Sequence, residues 1–489
     1  MSEKTVKNAP RMALDLVETG DGGLHSYGMD ERVSKSLPDG VSEKLVYGDI
    51  VRIAWPSFVE LILTQLASMV DLMMVGQLGA WALTAVGLTT QPKFMMMTMI
   101  MAMNVGATAM VARYKGAGDP EKANNILRQA LVLTFVISAV SSIIGYIFSE
   151  PLVAFMGAQD QQSLEGGTIY LQIQFLGFVF MALTSTVTAC LRGVGDSRTA
   201  MVYNLVANGV NVVGNYVLIY GKFGFPELGV AGASLATVIG QCVAFVLAFR
   251  AVMGNKSYLH LSFRDSFKPD LHAMGNIFKI GLPAMLEQAV MRVGMIIYSK
   301  TVANLGTVAF ATHQVCMNIQ SLTFMNGNAF AVSATSLMGQ SLGKKRPDMA
   351  QAYVKRTQRI GTMVSMMIAV CVFFFGGFIV SLYNDDPEIV RVGSQILKMV
   401  ALIQPLQSSQ FILAGALRGA GDTKATAFII FITVLLVRPA VAIFSINVLE
   451  WGLYGAWVAM VADQLLRTGF VFGRFNGGKW KITGMKIKQ

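Results

Sequence analysis

Side chains that could bind a cation in an apolar environment are few in this sequence, and Asp71 is the clearest of them. It lies within the apolar run 70–75. A carboxylate in such a run is costly unless it binds a partner, so an ionisable residue there is a functional candidate by default. Both a proton and Na⁺ suit a desolvated carboxyl group with oxygen-bearing neighbours, and the sequence leaves that choice open.

Three neutral oxygen donors are expected near the depth of Asp71. Asn211 and Asn215 stand four residues apart near the end of one apolar run, and Thr237 follows the start of the next. At 1.5 Å per residue, Asp71 and Asn215 lie roughly 9 Å, Thr237 roughly 12 Å and Asn211 roughly 15 Å from the outer ends of their helices. The sequence therefore predicts a cation-coupling set of these four residues. The structural alternative is that the asparagines only hydrogen-bond across helices.

Polar residues in the second half of the chain are candidates for a second site or for the wall of a transport cavity. They are Glu287, Arg292, Arg438 and Gln314. Glu287 either pairs with Arg292 or faces a cavity. Arg438 either faces a cavity, where it would admit anionic or zwitterionic compounds, or has an internal partner such as Glu287. Glu60 occupies the position equivalent to Glu287, and we interpret it as a carboxylate that favours the positive end of its helix.

The composition places these residues in a membrane protein. Of 489 residues, 54% are hydrophobic and only 14% are charged, whereas soluble proteins average about 25% charged residues. Twelve apolar segments are long enough to cross the bilayer. They are residues 50–77, 84–112, 129–149, 168–191, 200–220, 229–250, 276–299, 308–338, 360–382, 395–416, 426–447 and 453–473.

The twelve segments form two copies of a repeat of six segments. Pro56 and Glu60 recur 227 residues later as Pro283 and Glu287. A polar hinge, Arg-Gly-Val-Gly-Asp-Ser at 192–197, recurs as Arg-Gly-Ala-Gly-Asp-Thr at 418–423. Because six crossings are an even number, both copies enter the membrane in the same direction, which predicts parallel repeats related by a pseudo-twofold axis. We interpret the hinges as structural, with Asp196 and Asp422 capping the next helix and Arg192 and Arg418 meeting phospholipid or a carbonyl end.

The distribution of positive charge predicts the orientation of the chain. The net charge is +11, yet 32 of the 39 Lys and Arg residues fall in alternate loops and in the two tails. This positive-inside pattern places both termini in the cytosol and accounts for the basicity without nucleic acid as a partner. The four cysteines fall inside predicted spans, and their spacing indicates neither a disulfide nor a metal site.

Five regions follow from this reading. Residues 1–45 are predicted to be a cytosolic tail, mostly disordered; 46–251 an N-terminal six-helix lobe; and 252–275 a cytosolic linker. Residues 276–475 are predicted to be a C-terminal six-helix lobe, and 476–489 a basic tail on the anionic inner leaflet. The predicted fold class is all-α, with twelve transmembrane helices in two six-helix lobes.

Several motifs together resemble the MATE (multidrug and toxic compound extrusion) family. They are the paired Leu-Arg-Gly-x-Gly-Asp hinges, Pro56-x-x-x-Glu60 with Asp71 and Gly76-Gln-Leu-Gly79, and Asn211-x-x-x-Asn215 with Gly229-Val-Ala-Gly-Ala-Ser-Leu-Ala-Thr237. The resemblance runs from about residue 46 to 475. It implies cation-driven efflux of organic compounds, and a cation site whose acid matches Asp71 with polar partners matching Asn211 and Asn215. Some members have a second acid at the position of Asn215, whose absence leaves the choice between H⁺ and Na⁺ open.

We therefore expect a secondary antiporter that exports organic, often cationic, compounds in exchange for H⁺ or Na⁺. It would be a multi-pass protein of the cytoplasmic membrane, monomeric, with no cofactor besides the coupling ion. The alternative within the same superfamily is a flippase for a lipid-linked precursor, with Arg292 and Arg438 offering a diphosphate site. An intramembrane enzyme is not expected, because no nucleophile and base or metal ligands cluster at one depth.

Overall fold

The structure of the chain is a computed structural model that describes residues 12–19, 37–38, 40–158, 160–254, 257–262, 264–383 and 385–486. Nearly all of the described secondary structure is helical. An apolar segment within a bilayer has no water to satisfy its backbone N–H and C=O groups, so each segment satisfies them internally as a helix.

Six long helices form the first repeat. They are α1 (Glu43–Gly76), α2 (Ala80–Gly116), α3 (Pro120–Ile147), α4 (Gln161–Gly193), α5 (Ser197–Tyr220) and α6 (Val230–Met253). A short helix, Ser149–Phe155, precedes α4. Several helices begin well before the predicted apolar segment, as α3 does at Pro120. Their first turns are polar and were therefore not counted in the apolar segment, although they belong to the same helix.

Six further helices form the second repeat. They are α7 (Leu271–Ala303), α8 (Thr307–Gly343), α9 (Pro347–Ser381), α10 (Pro387–Gly419), α11 (Thr423–Asn447) and α12 (Gly452–Asn476). Helix α11 contains a π-helical stretch, Phe431–Val437. Among the described residues, ten of these twelve helices are long and apolar enough to cross a membrane, and α8 and α12 carry more polar residues. The prediction of an all-α protein with two sets of six helices is confirmed.

The two polar hinges do not behave alike. Asp196 caps α5 as predicted, because its Oδ1 accepts a hydrogen bond from the Thr199 amide at 3.2 Å. Asp422 does not cap α11 through its side chain. Its carboxylate accepts two hydrogen bonds from Arg474, at 2.7 and 3.1 Å. The capping prediction is therefore wrong for the second copy, where a guanidinium competes successfully with the helix N-terminus.

The helices assemble into two compact units. One is Val59–Gly281, and the other contains the described residues of Ala9–Phe58 together with Leu282–Gln489. The first boundary between the units falls inside α1, just after Pro56. The second falls inside α7, just before the repeat-equivalent Pro283. The first part of each of these helices is thus grouped with a different unit from the rest of its length.

Each unit contains a helix contact at a repeat-equivalent glycine. A β-carbon placed at Gly193 of α4 would lie 2.8 Å from the carbonyl oxygen of Thr108 in α2. In the second repeat, a β-carbon at Gly419 of α10 would lie 2.4 Å from the carbonyl oxygen of Thr335 in α8. The threonine hydroxyls donate across the same contacts, to the carbonyls of Ala189 at 3.1 Å and Gly415 at 2.8 Å. Small residues here let two backbones approach closely.

The linker between the repeats is bound to the start of α3. It runs from residue 254 to Asp270, and Asp270 accepts hydrogen bonds from the amide of Ala273 at 3.1 Å and from Asn125 Nδ2 at 2.9 Å. These hydrogen bonds hold the pKa of the Asp270 carboxyl below its ordinary value. The Gln129 side chain donates to the carbonyl of Lys268 at 2.9 Å. The linker therefore has specific contacts within its own unit.

Part of the N-terminal tail is folded among its described residues. A 3-10 helix, Ala13–Leu16, packs in the second unit. The Ala13 amide donates to Asp49 Oδ2 at 2.8 Å, and Lys344 Nζ donates to the carbonyl of Leu14 at 2.6 Å. The apolar residues Ala13, Leu14 and Val17 are buried. Residues 1–11, 20–36 and 39 lie outside the described part of the chain.

The C-terminal tail also differs from expectation at Trp480. Its indole is fully buried, stacks on Phe475 with ring centroids 5.4 Å apart, and donates to the Phe475 carbonyl at 2.8 Å. A short helix, Lys479–Lys486, carries it. The buried indole anchors the start of this tail to the protein, which a count of basic residues could not indicate.

Candidate functional site

Asp71 lies in the last two turns of α1 and is held by two amides of α5. Asn211 Nδ2 donates to Asp71 Oδ2 at 2.9 Å, and Asn215 Nδ2 donates to Asp71 Oδ1. The asparagines can reach one carboxylate because residues four apart lie on the same face of a helix. Asp71 is half-buried and Asn215 is fully buried. The structure thus brings together three of the four residues in the predicted set.

The amide oxygens of the two asparagines are available for a ligand. Asn211 Oδ1 and Asn215 Oδ1 are both buried and have no hydrogen-bond partner in the described structure. Buried polar atoms are normally satisfied, so two orphaned acceptors beside a carboxylate require an explanation. Carboxylate and amide oxygens are hard donors that suit Na⁺, and a carboxylate alone suffices for a proton. The side chains present therefore fit either coupling ion.

Thr237 is not held at this carboxylate in the structure. It is half-buried on α6, and its hydroxyl donates to the carbonyl of Ala233 one turn earlier, at 3.0 Å. In this rotamer the hydroxyl hydrogen is donated to a carbonyl of the same helix, and the oxygen lone pairs stay free to accept a hydrogen bond or bind a cation. Its place in the coupling set remains a prediction.

Two residues near Asp71 were missed by the sequence reasoning. Lys93 of α2 places its ammonium 5.8 Å from the centre of the Tyr170 ring of α4, and Tyr170 packs with Val75, one turn beyond Asp71 on α1. Tyr170 is buried. A signal was present for Lys93, since a lysine surrounded by a long apolar run satisfies the same criterion that singled out Asp71.

A ladder of hydrogen bonds joins α1 and α5 between Asp71 and the start of α1. Asn204 Nδ2 donates to Glu60 Oε1 at 2.7 Å, and Asn208 Nδ2 donates to Thr64 Oγ1 at 2.9 Å. The asparagines at 204, 208, 211 and 215 therefore form one polar stripe along α5. The seam between these helices is lined by polar side chains from Glu60 to Asp71.

Glu60 and Glu287 bind the arginines of the two hinges. Arg192 Nη2 lies 2.8 Å from Glu60 Oε1, and Arg418 Nη1 lies 3.9 Å from Glu287 Oε1. Thr426 also donates to Glu287 Oε2 at 2.9 Å. Arg418 Nε also donates to the carbonyl of Ala414 at 3.3 Å, in the last turns of α10, so the predicted contact with a carbonyl end is present for this arginine. The pairing of Glu287 with Arg292 stays a prediction. The arginine–glutamate pair is repeated in the two halves. This duplication supports a structural role for both glutamates.

Arg438 has an internal partner, but it is Asp463 rather than Glu287. Asp463 of α12 accepts hydrogen bonds from Arg438 and, at 2.8 Å, from Arg467 of the same helix. All three side chains are almost completely buried. The Arg438 guanidinium also lies 5.5 Å from the centre of the Tyr298 ring. The sequence analysis singled out neither Asp463 nor Arg467, although the spacing of four residues places both on one helix face.

The remaining candidates, Arg292 and Gln314, are not joined to this cluster by the hydrogen bonds and ion pairs described above. Arg292 is half-buried on α7. Gln314 is exposed on α8, and its backbone carbonyl accepts a hydrogen bond from Asn318 Nδ2 at 3.0 Å. Their roles in a second site or a cavity wall remain predictions.

A chain with twelve helices of membrane-spanning length in two repeated sets of six is a multi-pass membrane protein with the architecture of a transporter. The chain belongs to the MatE family. The family model matches residues 56–217 and again residues 283–444, and these two matches are offset by the same 227 residues as the repeat. The family is one of membrane transporters, and the resemblance drawn from the motifs is confirmed.

Curated relatives match nearly the whole chain. A protein described as a probable multidrug resistance protein NorM, from Thermotoga maritima, is 26% identical over 446 residues, which are 90% of this chain and 95% of that protein. An uncharacterised transporter, YisQ of Bacillus subtilis, is 25% identical and covers 88% of this chain and 95% of its own length.

Solved structures share the fold. One is MATE in the bent conformation, with a TM-score of 0.82 and 22% identity over 90% of this chain and 97% of that one. Another is a multidrug resistance MATE family transporter of the MOP superfamily in an outward-facing conformation, with a TM-score of 0.82 and 22% identity over 89% and 96% of the two chains.

Proposed function

We propose that this protein is a secondary active antiporter that exports organic, often cationic, compounds in exchange for H⁺ or Na⁺ by alternating access. The observation that carries the proposal is the Asp71 carboxylate, held by Asn211 and Asn215, with two buried amide oxygens left without partners. The family relatives described as multidrug resistance proteins support efflux of organic compounds as the activity.

The chemistry of coupling would reside in the charge of Asp71. When the site is empty, the carboxylate is an anion stabilised by two N–H donors, which favour the charged form. When a proton or Na⁺ binds, the charge is neutralised, and an amide can turn its oxygen toward a bound Na⁺. A change of one charge in a poorly solvated site alters the free energy of a conformational equilibrium by several kcal/mol in order of magnitude. Binding of one cation is therefore sufficient to bias alternating access.

The setting of the protein is also part of the proposal. The positive-inside distribution supports cytosolic termini and insertion in the cytoplasmic membrane. We expect a monomer, because the proposed coupling residues all belong to one chain.

The test uses purified protein in proteoliposomes and a fluorescent organic cation. An inward gradient of protons alone and of Na⁺ alone is imposed, and efflux is compared between the intact chain and Asp71→Asn. We expect efflux with one gradient and a fall to the protein-free rate in Asp71→Asn, because an amide cannot exchange a charge. Asp160→Asn is the matched control, since Asp160 caps α4 outside the site and asparagine caps equally well.

Gradient-driven efflux that survives in Asp71→Asn at equal protein content would contradict the antiporter proposal. The flippase alternative would be favoured instead by lipid headgroup binding without movement of any organic cation. In the structure, Arg438 is hydrogen-bonded to Asp463. This pairing removes one of the two guanidinium groups that the flippase alternative would use for a diphosphate.

A further inference from the structure

Lys93 is a charged residue deep in an apolar helix. It is the fourteenth residue of α2, which starts at Ala80 on the outer side, so its backbone lies roughly 20 Å below that end. Side chains of a helix point back toward its N-terminus, and a lysine therefore extends toward the outer side, in the direction of Asp71. An ammonium at this depth is costly and is retained where it has a function or a partner.

The geometry places this ammonium in the layer of the Asp71 site. Lys93 Nζ lies 5.8 Å from the centre of the Tyr170 ring. Tyr170 packs in one cluster with Val75 and Ile219, which follow Asp71 and Asn215 by four residues, one turn of their helices. The hydrogen bonds to the Asp71 carboxylate come from neutral amides, and Lys93 adds a cationic side chain to the same layer.

We propose that Lys93 is a tethered counter-cation that competes with the coupling cation for Asp71 and so sets the cation concentration at which transport is driven. The inference rests on the proposed antiporter function and adds a residue that tunes it. A fixed positive charge beside a carboxylate weakens the binding of any second cation, whether a proton or Na⁺, through the same Coulomb repulsion.

Tyr170 gives the ammonium a second favourable position. A cation over an aromatic face is attracted by the ring quadrupole, with an energy of about 0.5–2 kcal/mol that grows when water is excluded. When the coupling cation neutralises Asp71, the ammonium can remain over the ring instead of standing unpaired in an apolar region. The Tyr170 ring therefore offers the ammonium a favourable position in the state in which Asp71 is neutralised.

The other ionisable groups described on α1 and α5 do not supply this effect. Tyr220 of α5 donates its hydroxyl to the carbonyl of Met74 at 2.8 Å, and the facing side chains Asn211 and Asn215 are neutral. Glu60 lies eleven residues earlier on α1, roughly 16 Å along the axis, and is paired with Arg192. Lys93 is thus the residue whose replacement should change the electrostatics of Asp71.

The experiment measures gradient-driven efflux in proteoliposomes against the external concentration of the coupling cation. Lys93→Met should lower the half-saturating concentration about tenfold, the equivalent of one pKa unit. Lys93→Gln serves as a second neutral variant, and Lys93→Arg should stay within about twofold of the intact chain because it retains the charge over the ring. The maximum rate is recorded separately, since a merely structural defect would lower the rate in all variants.

The matched control is Lys398→Met. Lys398 of α10 also places its ammonium 5.8 Å from an aromatic centroid, that of Phe373, but in the other unit. The Lys398→Met substitution removes one positive charge and one contact with an aromatic ring, as Lys93→Met does, and should leave the half-saturating concentration unchanged. An equal shift in Lys398→Met would show an effect of net charge and overturn the proposal.

The outcomes separate this inference from the function on which it rests. If Asp71→Asn abolishes gradient-driven efflux but Lys93→Met and Lys93→Gln keep the intact half-saturating concentration, the counter-cation proposal is wrong and the antiporter proposal stands. If efflux does not depend on Asp71, both are wrong. If the half-saturating concentration falls in Lys93→Met and Lys93→Gln but stays at the intact value in Lys93→Arg, the result supports both the counter-cation proposal and the antiporter proposal.

Discussion

Asp463 is the residue on which the largest buried charge network depends. Its carboxylate, 0% exposed, accepts hydrogen bonds from Arg438 and Arg467, which are 3% and 2% exposed. Two guanidinium groups and one carboxylate leave an excess positive charge, so the network tolerates no loss of its anion. A buried ion pair adds little to the free energy of unfolding compared with apolar packing, but removal of one partner leaves an uncompensated buried charge.

We predict that Asp463→Asn destabilises the protein by about 3–5 kcal/mol, because two buried arginines would lose their counter-charge. Thermal unfolding of the detergent-solubilised protein, followed by a thiol-reactive dye, would measure this as a lower midpoint. Glu388→Gln is the control: it breaks the exposed pair with Arg391 and should not move the midpoint. A midpoint equal to that of the intact protein in Asp463→Asn would show that the arginines have other compensation.

At the residue scale, part of the candidate site followed from the sequence. Asp71 could be found because it interrupts an apolar run, and Asn211 and Asn215 because their depth matched it. Lys93 met the same criterion but was overlooked, while Asp463 and Arg467 were missed because their segment is less apolar than its neighbours. The suggested partner of Arg438, Glu287, was wrong, because spacing along one helix does not determine which side chain of another helix it meets.

At the scale of single elements, the repeated glycine contacts indicate why the two halves keep the same packing. Gly193 and Gly419 each leave space for a carbonyl oxygen of the facing helix. We predict that Gly193→Ala and Gly419→Ala each cost about 1–3 kcal/mol, because the helices must separate to admit a methyl group. The measurement is again the unfolding midpoint.

Gly209→Ala provides the matched control for these substitutions. A β-carbon at Gly209 of α5 would meet no atom within 4 Å. Alanine also has a higher helix propensity than glycine, so the midpoint of Gly209→Ala should be unchanged or higher. If Gly193→Ala and Gly419→Ala behaved like Gly209→Ala, the close approach of the backbones would not be needed for stability.

At the scale of the molecule, the ordered N-terminal segment extends the core of the second unit beyond its membrane helices. Leu14 packs into a cluster with residues of α1, α8 and α9, whereas Leu16, two positions later, is 44% exposed. We predict that Leu14→Asp destabilises the protein by at least about 2 kcal/mol, because a charge replaces a buried apolar side chain. Limited proteolysis should show faster cleavage before residue 40.

Leu16→Asp tests whether the position, rather than the added charge, is responsible. It introduces the same carboxylate on the exposed side of the 3-10 helix and should leave both the proteolysis rate and the unfolding midpoint near those of the intact chain. Equal sensitivity of Leu14→Asp and Leu16→Asp would argue against docking of this segment.

The sequence by itself determined the class of the protein, because the length of apolar runs, their number and the repeat at 227 residues are properties of the chain in one dimension. It also located Asp71 and its asparagines, since depth along a helix follows from residue number. Only the tertiary structure decided that Asp463 partners Arg438, that Lys93 stands over Tyr170, and that residues 12–17 pack into the core of the second unit. These contacts join residues far apart in the chain, and their selection depends on which helix faces meet.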